Sequence, residues 1–195
     1  MAEIKSTLEM VMERAARMSA EVPEVNADQA AEEQGMKLAA LFLNGKEDNL
    51  ITLLNAQPSE DQVAIRNGMV KTLLRNVTLP RDNEISEVCQ LSLNTIVELS
   101  GNGSEVTAIC SELAQILEQY NQHKEQVREQ LDGAIRNQLK QALHQQGQSV
   151  DDEMLNPAMH PQYQEEWSKV SADLNEQYSE AINQRKEAIS MRISG

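Results

Sequence analysis

Aromatic residues make up only 3% of this 195-residue chain, with one Phe (Phe42) and one Trp (Trp167). A core must therefore be assembled from Leu, Ile, Val, Met and Ala. Glycine and proline are also scarce, at 8 and 5 residues, and most of them fall between periodic segments. A sheet protein would need more Val, Thr, Tyr and turn residues than this. Cysteine occurs only at positions 89 and 110, both within apolar-periodic sequence, which predicts buried, reduced thiols in place of a disulfide framework. No apolar run approaches the roughly 18 residues needed to cross a bilayer. The opening "MAEIKSTLEM" has neither the basic start nor the apolar stretch of a signal peptide. A reducing cytoplasm is the expected compartment.

Positive charge is lacking as well. The formal net charge is −14, and each half of the chain, split at Gly101, carries −7. There is thus no detached acidic tail. A nucleic-acid binder draws most of its affinity from neutralised phosphates and needs a basic footprint, which no Lys/Arg run provides. The same field opposes an anionic membrane surface. It suits basic protein partners.

Catalytic signatures are missing too. There is no GxSxG, no phosphate-cradling glycine loop, no CxxC, and no Glu-x-x-His of the kind that builds a di-iron site in a bundle. The adjacent acids Glu32-Glu33 and Glu165-Glu166 point about 100° apart on a helix and make no dyad. His123 lies in "YNQHKEQ", on a face expected to meet solvent. No catalytic residue, cofactor site or metal site is expected, and the reading is of a protein that is not an enzyme.

What is present is helical periodicity. In residues 3–19, Ile4, Leu8, Val11, Ala15 and Met18 form one stripe, and Ser6 with Glu9 fits a capping box. Pro23 interrupts "EVPEV", which reads as a linker, so the first helix docks separately or exchanges between subunits. A second helix spans 27–43. Gly35 is a weak point within it and Asn44-Gly45 closes it; the same Asn-Gly pair also fits a hairpin turn, but the flanking residues do not alternate. Further helices are predicted over 47–56, from Ser59 (a capping box with Gln62) to about Val77, and over 83–99, stopped by "GNG" at 101–103.

From Ser104 to Gln146 the pattern is continuous. Val106, Cys110, Leu113, Leu117, Tyr120, Lys124, Val127, Leu131 and Ala134 approximate a heptad seam, which then drifts through Ile135, Leu139 and Leu143 by a four-residue step resembling a stutter. A second seam runs through Tyr163, Trp167, Val170, Leu174, Tyr178 and Ala181, then Arg185, Ala188 or Ile189, and Arg192 or Ile193. Two such seams are satisfied by folding back on each other. The expected architecture is all-α: an N-terminal helix and linker (1–25), a small helical bundle (26–118), and a projecting, coiled-coil-like antiparallel hairpin (119–195) with a tip loop at 147–161.

That loop, longer than the 2–8 residues that usually join helices, holds Asp151, Asp152, Glu153 and His160. Their spacing matches no metal-ligand motif, and acids beside helix ends ordinarily act as caps or stay solvated. Its apolar set, Val150, Met154, Leu155 and Met159, either contacts a partner or folds back over the hairpin end. Tyr163 and Trp167 either extend that contact surface or fill the seam.

The start "MAEIKSTLEMVMERAARMS" resembles the N-terminus of a family of uncharacterised bacterial cytoplasmic proteins, of delta-proteobacterial type. The resemblance implies a bacterial, cytoplasmic setting and no assigned activity. The functional expectation is a non-catalytic protein–protein interaction protein (scaffold, adaptor or chaperone-like) acting through the hairpin arm, with a homodimer as one way of covering exposed seam. Its rivals are a ligand- or metal-binding helical bundle, enzymatic or not, and an acidic mimic that occupies a nucleic-acid-binding protein.

Overall fold

The structure, a computed structural model, describes residues 27–81, 84–145 and 155–194. The helix expected over 3–19 and its linker lie outside the described residues. Among the described residues there are six α-helices and no strand: α1 (27–43), α2 (Leu50–Asn55), α3 (Gln62–Arg75), α4 (Glu87–Leu99), α5 (Ser104–Gln145) and α6 (Pro161–Ser194), with a single 3-10 turn at Pro157–Met159.

Local chemistry sets most of the boundaries. Helix α1 ends where Gly45 adopts φ +68°, a conformation that costs glycine nothing. The Lys46 and Gly45 amides then return to the Leu41 and Phe42 carbonyls, which satisfies otherwise orphaned acceptors. Gly101 (φ +69°) repeats the device after α4, with Asn102 and Gly101 donating to Val97 and Glu98. The Asn-Gly pair is thus a helix stop and not a hairpin turn. Asn49 caps α2 through the Thr52 amide (2.9 Å), and Ser86 caps α4 through the Cys89 amide (3.2 Å).

Three predicted starts move. Helix α2 begins at Leu50 and not at 47, because Asn49 supplies its cap. Helix α3 begins at Gln62 and not at Ser59, and its cap residue Asp61 makes no side-chain bond. The Ser59–Gln62 box does not form; Gln62 donates instead to the Gln57 carbonyl (2.9 Å). Helix α4 begins at Glu87 and not at 83, because Ser86 supplies the oxygen that the first turn needs.

The bundle core is centred on α3, where Ile65, Met69 and Leu73 are completely buried, as is Val77 just past its end. Helix α4 adds Cys89, Leu93, Ile96 and Leu99, and α5 adds Val106, Ile109, Cys110, Leu113 and Leu117. Ser92 and Thr95 are buried in the same wall, and their hydroxyls donate to the Val88 and Leu91 carbonyls (2.7 and 2.8 Å), so neither is left unsatisfied. Helices α1 and α3 touch backbone to backbone. A Cβ at Gly35 would overlap the Ile65 carbonyl, and one at Gly68 would overlap the Glu32 carbonyl. Gly35 is therefore the contact point of this crossing, where the sequence marked it as a weakness.

Helices α5 and α6 form the antiparallel pair. Glu105 meets Arg192, Glu112 meets Arg185 and Tyr120 meets Asn175, so one residue number rises as the other falls. At 1.5 Å per residue, the 42 residues of α5 extend about 63 Å. The division at 118 differs in one respect from the structure. Ile182, Ile189 and Ile193 of α6 belong to the same buried cluster as α3, α4 and the first part of α5, so the bundle includes the last third of α6. This also decides the ambiguous seam positions: Ile189 and Ile193 face inward, while Arg192 is exposed.

A candidate interaction arm

Beyond Leu117 the pair leaves the bundle, and its interface changes character. Tyr120 is buried and packs edge-on against Tyr178, with ring centroids 5.4 Å apart at 70°, the geometry that aromatic quadrupoles favour. Its hydroxyl donates to the Asn175 amide oxygen (2.7 Å). Burial raises the Tyr120 pKa. His123 is exposed as expected, and its Nδ1 lies 3.5 Å from the Tyr178 hydroxyl. Lys124, a polar residue in the seam, is accommodated by two contacts. Its ammonium sits 5.8 Å from the Tyr120 ring centroid and donates to the Arg81 carbonyl (3.1 Å). This ties the root of the arm to the loop between α3 and α4.

Farther out, Val127, Leu131, Leu139 and Leu143 are half-buried and Ile135 is buried, whereas Ala134 is exposed. The four-residue step from Leu131 to Ile135 is therefore real: the buried side moves from the heptad position to the next residue, as a stutter requires. Facing it, Tyr163 and Leu174 are buried and Trp167 and Val170 half-buried. Tyr163 is held beside Asp132 and Arg128, and its pKa is raised first by burial and then by Asp132.

At the tip, the Asn156 side chain accepts from the Ala158 amide (3.1 Å) and opens the 3-10 turn. Pro157 is buried beneath it. The His160 ring nitrogen accepts from the Gln162 amide (3.3 Å), so this histidine helps to start α6.

Of the six residues expected to meet a partner, Val150 and Met154 lie outside the described residues. Met159 is 79% exposed, and Leu155 and Trp167 are partly exposed. Tyr163 is a correction: it is only 7% exposed, and it fills the seam because its position on α6 faces α5. Leu155 and Met159 thus belong to the segment that forms the tip, and Trp167 lies in the second turn of α6.

Both cysteines are free and buried. Burial pushes the Cys110 thiol up to about 11 and raises Cys89 as well, against smaller opposing effects from a hydrogen bond with the Thr78 backbone and then from Lys186. At neutral pH both are protonated thiols behind packed side chains, poor nucleophiles by protonation and by access. Among the described residues no three His, Cys, Asp or Glu side chains are grouped to hold a metal ion, and no helix is long and apolar enough to cross a membrane.

These features define an all-α helical bundle from which a long antiparallel helix pair extends. The chain belongs to a family of unknown function, DUF6657, which matches residues 51–191. The match covers α3 to α5 and most of α2 and α6. It does not include residues 1–50. No curated protein and no solved structure matches the chain.

Proposed function

We propose that this protein is a non-catalytic interaction protein, of scaffold, adaptor or chaperone-like type, whose α5–α6 arm carries the contact surface. The observation that supports this reading most is the 79% exposure of Met159 in the turn at the far end of the arm, with Leu155 of the same tip segment and Trp167 early in α6 also partly exposed. Large apolar side chains exposed at a protruding end leave water when a second surface covers them. The net charge of −14 favours a partner with a basic face. The free thiols fit a reducing, bacterial cytoplasm.

The test is capture of partners from the source cell by the intact protein, compared with Met159→Asp and with a version whose residues 148–160 are replaced by a Gly/Ser linker. All three are first matched for helicity by circular dichroism. A partner retained by the intact protein and lost from both variants supports the arm as the contact. Identical partners in all three overturn it.

A further inference from the structure

A groove of about 460 Å³ runs between α3 and α6 on the bundle, bordered by Lys71, Leu74 and Arg75 on one side and by Lys186, Glu187 and Met191 on the other. Sites for small molecules usually enclose about 300–1,000 Å³. The surface of this one is mainly carbon. Leu74 lines it opposite Met191, which is 71% exposed, and the long cationic side chains add their methylene stems. On α6 the lining residues extend from Asn183 to Met191, about 12 Å of helix at 1.5 Å per residue. That is room for an extended acyl chain of medium length.

The charge in the groove is opposite to that of the chain. Three cations and one acid, Glu187, line it, where the chain as a whole carries −14. Lys71 is paired with Glu32 (2.8 Å). Among the described residues, no carboxylate pairs with Arg75 or Lys186. Lys186 is half-buried. Burial lowers its pKa, against a smaller opposing effect from Cys89, as expected of an ammonium drawn partly out of water without a counter-ion. Carbon surface edged by uncompensated cations is complementary to an amphiphile with one anionic end. The net charge favours a small ligand over a large one. An acidic protein or an anionic membrane would meet the field of the whole molecule, whereas a single carboxylate brings one charge into a locally positive region.

We propose that the α3–α6 groove binds a medium-chain carboxylate, with the acyl chain against Leu74 and Met191 and the carboxylate paired with Arg75 and Lys186. The site lies on the bundle, separate from the tip of the arm, and stands or falls independently of the arm's role as a contact surface.

The test titrates the full-length chain with decanoate, kept below its micelle concentration, and with decanol, each followed by isothermal titration calorimetry. Decanoate should bind, and decanol, which lacks the charge, should bind roughly tenfold more weakly. Arg75→Gln/Lys186→Gln removes both cations and keeps part of each stem; it should weaken decanoate by roughly tenfold and leave decanol unchanged. Met191→Asp, at an exposed position, should weaken both ligands. All variants are first matched to the parent in helicity by circular dichroism. Absence of decanoate binding overturns the proposal, as does equal binding of decanoate and decanol. Decanoate binding that Met159→Asp abolishes, while the groove variants retain it, also overturns it and assigns the ligand to the tip of the arm.

Discussion

Replacing glycine by alanine inside a helix ordinarily stabilises it by about 1 kcal/mol, because alanine has less backbone freedom to lose. In this fold the same substitution should have opposite signs at different sites. At Gly133, exposed on α5, an added Cβ meets nothing within 4 Å, so Gly133→Ala should realise the full gain. At Gly35 and Gly68 the Cβ would overlap a backbone carbonyl of the facing helix. No side chain can rotate away, so α1 must lift from α3. A gap of 0.5–1 Å forfeits a quarter to a half of each dispersion contact along that line, including those of the fully buried Ala39. Overpacking of this kind costs about 1–3 kcal/mol. With the propensity gain set against the upper part of that range, the net loss is about 2 kcal/mol. For a chain of this length, thermal unfolding followed by circular dichroism should show a fall in midpoint of about 4–8 °C at either position and a rise of about 2–4 °C for Gly133→Ala. The double variant Gly35→Ala/Gly68→Ala should lose less than the sum of its parts, since one displacement of α1 accommodates both methyl groups. If all three single variants rose in midpoint, the backbone contact between α1 and α3 would be refuted.

Ile189→Ala should cost about 3 kcal/mol in urea unfolding, because Ile189 is completely buried in the bundle, whereas Leu143→Ala, half-buried on the arm, should cost about 1. Equal costs would remove α6 from the core. Stability should fall between about pH 9 and pH 11: the unfolded chain releases the Cys110 proton near 9, the folded chain holds it to about 11, and the unfolded state therefore binds fewer protons in that window. The lowered pKa of Lys186 acts in the opposite sense, so the diagnostic is a shallower alkaline decline in Cys110→Ala than in the parent protein. Glu105→Ala and Glu112→Ala remove exposed partners of Arg192 and Arg185; each should change stability by less than about 0.5 kcal/mol, with the difference vanishing in high salt. Tyr120→Phe should cost about 0.5–1 kcal/mol through the lost bond to Asn175.

Helix type, number and most limits within the described residues were legible in the sequence because they depend on local chemistry. The positive-φ glycines after α1 and α4, the scarcity of proline inside helices and the apolar spacing are all short-range signals. The stutter after Leu131 was legible for the same reason. What escaped was set by neighbours distant in sequence. Gly35 reads as a propensity defect until α3 is laid against it. The choice between Ala188 and Ile189 on α6 depends on where α3 and α4 stand, which no periodicity within α6 contains. Ser59 and Gln62 have the right spacing for a capping box, but Gln62 found the Gln57 carbonyl first. At the candidate tip, Met159 was legible as exposed apolar surface, whereas Tyr163 was drawn inward by the facing turn of α5.

The placement of Ile182, Ile189 and Ile193 against helices that begin more than 70 residues earlier bears on the order in which the molecule can be made. During synthesis, α1 to α4 and the first half of α5 emerge with one wall of their core missing. That wall arrives only after the chain has travelled out along the arm and back, so closure waits until about residue 193 has been made. Loop closure over such a span is slow compared with helix formation. The nascent bundle therefore holds an apolar face open for much of its synthesis, exposed to association with other chains in that interval.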